Sequence, residues 1–221
     1  MEIYHVVDRS IDKKIIFPDP RDYERFVFNL YELNNQNRSA NSLYRFNNLN
    51  RPPVSQNDKE ADPLVDLYAF CAMPTHHHTA LSPLVDNALP AYMHKINMSF
   101  SKYFNTKYER KGPLFAGPYK SILIEREGHF AHIIVYIHLN PLDLKFPEWR
   151  KRPLNNKEIK EALKYLETYR WSSHLDYLNM SNFPSVTSRK FFLDYFDGTK
   201  GYEKALINWL KSPKFSLIGL K

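Results

Sequence analysis

The 221-residue chain has one cysteine, Cys71. A single thiol closes no internal disulfide, so the cross-linked framework of small secreted domains is excluded and a reducing compartment is expected. No apolar run approaches the roughly 18 residues that span a bilayer. The opening Met1-Glu2-Ile3-Tyr4-His5 has neither the basic start nor the apolar core of a signal peptide. A cytoplasmic location and no membrane partner are therefore expected. There is no internal repeat. Acid is also in short supply, with 24 Asp and Glu against 31 Lys and Arg, a net charge of +7. That excess favours a polyanionic partner such as nucleic acid, although charge alone does not name one. Hydrophobic residues make up 43% of the chain, enough for an ordinary core in one domain with additions.

Residues Ile3 to Val7 read as a first strand. Asp19-Pro20 opens a helix, with aspartate as N-cap and proline at the first helical position. Tyr23, Phe26, Val27, Leu30 and Leu33 follow at helical spacing. The stretch 34–63, rich in Asn, Ser and Pro, breaks the pattern and reads as a surface insertion. Strands are expected over Leu67–Met73 and His76–Leu81, and a helix from about Ala91 closed by Gly112. A strand is expected over Tyr119–Ile124 and a helix over Gly128–Leu139, stopped before Pro141. The order β-α-β-β-α-β-α is a ferredoxin-like α+β pattern, an antiparallel sheet with helices on one face. Lys157–Tyr169, Phe191–Phe196 and Tyr202–Leu210 read as further helices. Residues 1–145 then form the main domain and 146–221 a mainly helical C-terminal extension packed on it.

His76-His77-His78 follows Met73-Pro74-Thr75. On a strand His76 and His78 share a face and His77 takes the other. Two imidazoles on one face can ligate a divalent ion. His77 is expected to be structural. Tyr136 and Asn140 lie four apart in the helical pattern and share a face with His132. A tyrosine hydroxyl can attack a phosphodiester if a cation neutralises the phosphate. Asn140 could add a third ligand through its amide oxygen. By spacing alone, packing is the default for Tyr136, one of 15 tyrosines.

In order along the chain stand Tyr4-His5-Val6-Val7-Asp8-Arg9, Met73-Pro74-Thr75-His76-His77-His78, Gly112-Pro113-Leu114-Phe115 and Tyr119-Lys120-Ser121-Ile122-Leu123. Then come Tyr136-Ile137-His138-Leu139-Asn140-Pro141 and Trp171-Ser172-Ser173-His174. This ordered set, covering most of residues 1–180, resembles the HUH-type single-strand DNA transposases with one catalytic tyrosine, and among them the REP-associated tyrosine transposases. The resemblance implies a ferredoxin-like nuclease fold and a metal site of His76, His78 and Asn140, taking Mg or Mn. It implies Tyr136 as nucleophile. The implied reaction cleaves single-stranded DNA beside a hairpin, leaves a 5′-phosphotyrosine link and rejoins strands through the freed 3′-hydroxyl. It leaves monomer and homodimer both open. His77 stands where the family has a hydrophobic residue, Thr75 where Asn is common, and Ala116 and Pro118 where polar and basic residues are usual.

A DNA-binding surface is expected from Lys95, Lys102, Arg110, Lys111, Tyr119 and Lys120, with a second cluster at Arg150, Lys151 and Arg152. The competing description, a solvated basic face with Tyr103 and Phe104 in the core, is preferred for those two aromatics. Two other functions fit the same residues: a DNA-hairpin-binding protein that has lost transposition, and a metal-dependent phosphodiesterase in which water attacks. A covalent protein–DNA adduct separates the first reading from both.

Overall fold

The computed structural model describes residues 2–37, 42–47, 62–125 and 127–213. Four strands form one antiparallel sheet: β1 (Tyr4–Arg9), β2 (Val65–Met73), β3 (His76–Pro83) and β4 (Lys120–Leu123), in the order β2-β3-β1-β4. Helix α1 (Pro20–Glu32) connects β1 to β2, and α3 (Ala88–Lys107) connects β3 to β4. This is the split β-α-β arrangement expected of the α+β class. Between α1 and β2 lies α2 (Ser42–Asn47). It is the described part of the expected 34–63 insertion's centre; residues 38–41 and 48–61 lie outside the described residues. Phe46 of α2 is buried beside Phe28, and its Arg45 pairs with Glu32 at 2.6 Å.

The expectation of helices on one face holds for α1 and α3 and needs correction for the next helix, α4 (Glu127–Leu139). Phe70, Ala72, Leu81 and Val6 pack with α1 and α3, whereas Ala69, Cys71, Met73 and Ala80 pack with α4. The reason is in the sequence of β2. Both of its faces are apolar, and a strand buried on both sides needs a layer on each. The α4 layer continues into α5 (Asn156–Thr168), α6 (His174–Tyr177), α7 (Lys190–Tyr195) and α8 (Gly198–Lys211), whose Ile159, Leu166, Phe192, Leu206 and Leu210 share its core. Each such side chain removed from water contributes about 1.5–3 kcal/mol.

Local signals explain the element ends. Asp19 accepts from the Arg21 and Asp22 amides, and Asp22 answers from the Asp19 amide, so α1 starts with a reciprocal cap and Pro20 in its first turn. Helix α3 stops at Lys107, before Gly112, whose φ of +90° belongs to the following turn. Pro74-Thr75 turns β2 into β3, pairing Met73 with His76. A bulge at Tyr68 shifts the register between Leu67 and Ala69. The outer edge of β2 is covered: Ala72 donates to Trp171 O and Ser173 donates to Phe70 O. Trp171-Ser172-Ser173 thereby shields an edge that would otherwise be open to another chain.

Candidate active site

Residue alternation in β1 and β3 sets the site. Val7 pairs with His78, Arg9 with His76 and His5 with Ala80, so His5, His76 and His78 share the face under α4. The His76 and His78 ring centres are 5.0 Å apart. His77 points the other way, between Phe26 and Phe115, and neither ring nitrogen has a hydrogen-bond partner. Its role is structural, and burial lowers its pKa to about 3.

Tyr136 projects from α4 onto this histidine face. Its ring stands edge-on to His5 (5.8 Å) and to His78 (5.9 Å). Asn140 follows where Pro141 ends the α-helical bonding. Pro141 has no N–H for the Ile137 carbonyl. The Asn140 side-chain amide turns back instead and donates to Tyr136 O at 2.9 Å and to Ile137 O at 3.4 Å. That leaves Oδ1 on the other side of the amide, turned toward Arg150. Arg150, in the 3-10 turn Pro147–Arg150, donates to Asn140 Oδ1 at 2.7 Å and to the Tyr136 hydroxyl at 3.2 Å. Asp143, in the preceding 3-10 turn, holds Arg150 through bonds of 2.6 and 2.9 Å and accepts the Trp149 indole N–H at 2.7 Å. Burial works against the Arg150 charge, but Asp143 and Tyr136 outweigh it and hold the pKa above its ordinary value.

The residues fit a divalent ion in one specific way. A ligating histidine generally donates its second ring N–H to a fixed partner. His78 Nδ1 is 2.9 Å from His5 Nε2, and His76 Nδ1 is 3.0 Å from Thr75 Oγ1. Where each Nδ1 carries the proton and donates it to that partner, Nε2 is left with a lone pair for an outside ligand. Burial lowers the pKa of His78 well below 6.5 and that of His76 to about 4, so both are neutral at pH 7, the state that ligates. Among the described residues no set of three or more His, Cys, Asp or Glu side chains is arranged for a metal. A divalent ion here would have to draw on two imidazoles and the Asn140 amide oxygen, which accepts from Arg150.

The basic residues are less uniform than their spacing suggested. Lys102, Lys111 and Lys120 are exposed. Lys95 instead binds the Asn35 and Asn37 carbonyls after α1. Arg110 holds Asn105 and the Pro113 carbonyl, Lys151 pairs with Glu148, and Arg152 pairs with Glu158. Tyr119 is half-buried, and Tyr103 and Phe104 are core residues, as preferred for them. His132 turns from the Tyr136 stripe to Trp209 of α8, with ring centres 5.4 Å apart. His138 is structural: it bonds Ser173 Oγ and the Tyr202 hydroxyl, each at 2.7 Å. Sequence reasoning missed Asp143 and His5 as site residues. The signal for His5 was available, since period two from β1 places it on the His78 face.

No family model and no curated protein matches the chain. A solved structure described as a REP-associated tyrosine transposase bound to a REP hairpin aligns with a TM-score of 0.48 at 10% identity, over 85% of each chain. No helix among the described residues is long and apolar enough to cross a membrane.

Proposed function

We propose that the protein is a single-strand DNA endonuclease and strand transferase of the transposase type, with Tyr136 as its nucleophile. The observation that carries this reading is the convergence of one nucleophilic hydroxyl, two neutral imidazoles and one amide oxygen around Arg150 and the histidine face. Arg150 bridges the hydroxyl and the amide. Ordinary packing of a tyrosine asks for none of this.

His76, His78 and Asn140 would hold a divalent ion, Mg or Mn. Two imidazoles favour Mn, because Mg prefers oxygen ligands. When bound, such an ion neutralises charge on the scissile phosphate and orients it. The chain's own residues do the rest. Tyr136 Oη attacks phosphorus and loses its proton, the bond from phosphorus to the 3′-oxygen breaks, and that oxygen takes up a proton. Arg150 holds the attacking oxygen in place, and its guanidinium is well shaped for phosphate oxygens. The products are a 5′-phosphotyrosine and a free 3′-hydroxyl, which can later attack the link and reverse the step without an external energy source.

In this reading residues 1–145 supply the nucleophile and the ligands, while 146–221 supply Arg150 and brace α4 from behind. The DNA partner is a hairpin with a single-stranded flank, gripped by Lys102, Lys111 and Lys120. A labelled hairpin incubated with Mn²⁺ and run on a denaturing gel tests the proposal. Wild type should give a cleaved strand and a slow-migrating adduct; Tyr136→Phe should give neither while still binding the hairpin. Cleavage with no adduct would transfer the assignment to water attack.

A further inference from the structure

His5 lies outside the proposed set of nucleophile and ligands, yet it is fully buried and joined to that set. It sits on β1 diagonally across from His78, with which it shares a sheet face. The two ring planes differ by only 5°, and the centres are 5.2 Å apart. The rings meet edge to edge through His5 Nε2 and His78 Nδ1 at 2.9 Å. In-line rings at that separation suit a nitrogen-to-nitrogen hydrogen bond.

Both rings are buried, at most 2% exposed. A neutral imidazole has one N–H and one lone pair. Two arrangements are then open to the facing nitrogens. If His78 Nδ1–H donates to His5 Nε2, His78 Nε2 presents a lone pair. If His5 Nε2–H donates, His78 Nε2 carries a proton and repels a cation. The remaining nitrogen, His5 Nδ1, has no hydrogen-bond partner. Nothing on the far side of His5 therefore dictates its tautomer, and the pair can adopt whichever arrangement the open side of His78 requires. The Tyr136 ring, edge-on to both imidazoles, also rests on the floor they form.

We propose that His5 is a positioning residue that accepts the His78 Nδ1 proton, fixing His78 in the tautomer and ring orientation that ligate a divalent cation through Nε2. Thr75 stands in the same relation to His76. The proposal rests on His78 being a ligand, as proposed above, and the test separates the two claims. Mn²⁺ binding is measured by the loss of its free electron-spin-resonance signal, for wild type, His78→Ala, His5→Phe and His5→Gln. Thermal unfolding of each variant is followed in parallel. His78→Ala should abolish binding. His5→Phe, which fills the space but accepts no proton, should weaken Mn²⁺ about 10–100-fold. His5→Gln, which keeps an acceptor, should recover part of the loss. Nitrogen-resolved NMR of Zn²⁺-loaded wild type should find His78 protonated on Nδ1, and this readout needs no variant. Unchanged Mn²⁺ affinity in folded His5→Phe, or a proton on His78 Nε2, overturns the role of His5. Binding that survives His78→Ala overturns the ligand assignment itself, and with it the proposal.

Discussion

Lowering the pH from 7 to 5.5 should cost the protein several kcal/mol of stability. Five histidines, His5, His77, His78, His138 and His174, are at most 2% exposed. Burial lowers every one of their pKa values from 6.5: to about 3 for His5 and His77, to about 4 for His174, and well below 6.5 for His78 and His138. In the unfolded chain each titrates near 6.5. Below that value the unfolded state binds more protons, so stability is present above pH 6.5 and is lost as pH falls toward the folded values. Between pH 7 and 5.5 each such histidine costs on the order of 1 kcal/mol, and the five together roughly 6 kcal/mol. Asp8 works in the opposite direction. Burial raises its pKa to about 6 against the hydrogen bond from Asn97, so the folded state gains a proton there and recovers something under about 1 kcal/mol. Asp176, also raised by burial, adds to that offset. The net loss of about 5 kcal/mol is comparable to the whole stability of many domains, about 5–15 kcal/mol. Urea titrations followed by tryptophan fluorescence, with a chelator present, should give this loss in the extrapolated unfolding free energy. A change under about 1 kcal/mol would refute the premise that these rings are buried and neutral.

Other outcomes follow from the same structure. Tyr202→Phe removes a buried hydroxyl that joins His138 and His174 at 2.7 Å each, leaving two ring nitrogens unpaired; it should cost about 2–4 kcal/mol in denaturant unfolding. Hairpin DNA with a single-stranded flank should bind more tightly than duplex of equal length, and affinity should fall with salt; equal affinity across a salt series would contradict the assignment. Lys111→Ala and Lys120→Ala should each flatten that salt dependence by about one counterion, whereas Lys95→Ala should leave the slope unchanged and lower the melting temperature, because Lys95 binds backbone carbonyls.

The strand and helix order was legible because each element carries its own signal: Asp19-Pro20 at a cap, Pro141 at a stop, and Pro74-Thr75 between two apolar runs. The second helical layer was less legible. Val65–Met73 is apolar on both faces, which a short run does not distinguish from a helix or a one-sided strand. His76, His78, Tyr136 and Asn140 could be singled out from periods of two and four. Their dependence on Asp143 and Arg150 could not, because those two residues lie in 3-10 turns where no periodicity links them to α4. Arg150 was expected only as a surface DNA contact, and its neighbours Lys151 and Arg152 are held in surface ion pairs. The sequence displays charge, whereas pairing belongs to the fold.

Tyr136 as the covalent nucleophile is tested most directly by locating the bond. Wild type is trapped on a hairpin substrate with Mn²⁺, digested with nuclease and protease, and mapped by mass spectrometry. The peptide containing Tyr136 should carry the mass of a nucleotide joined through its phosphate, and His76→Ala should abolish that mass. A nucleotide on a different tyrosine, or cleaved DNA with no modified peptide, would contradict the account.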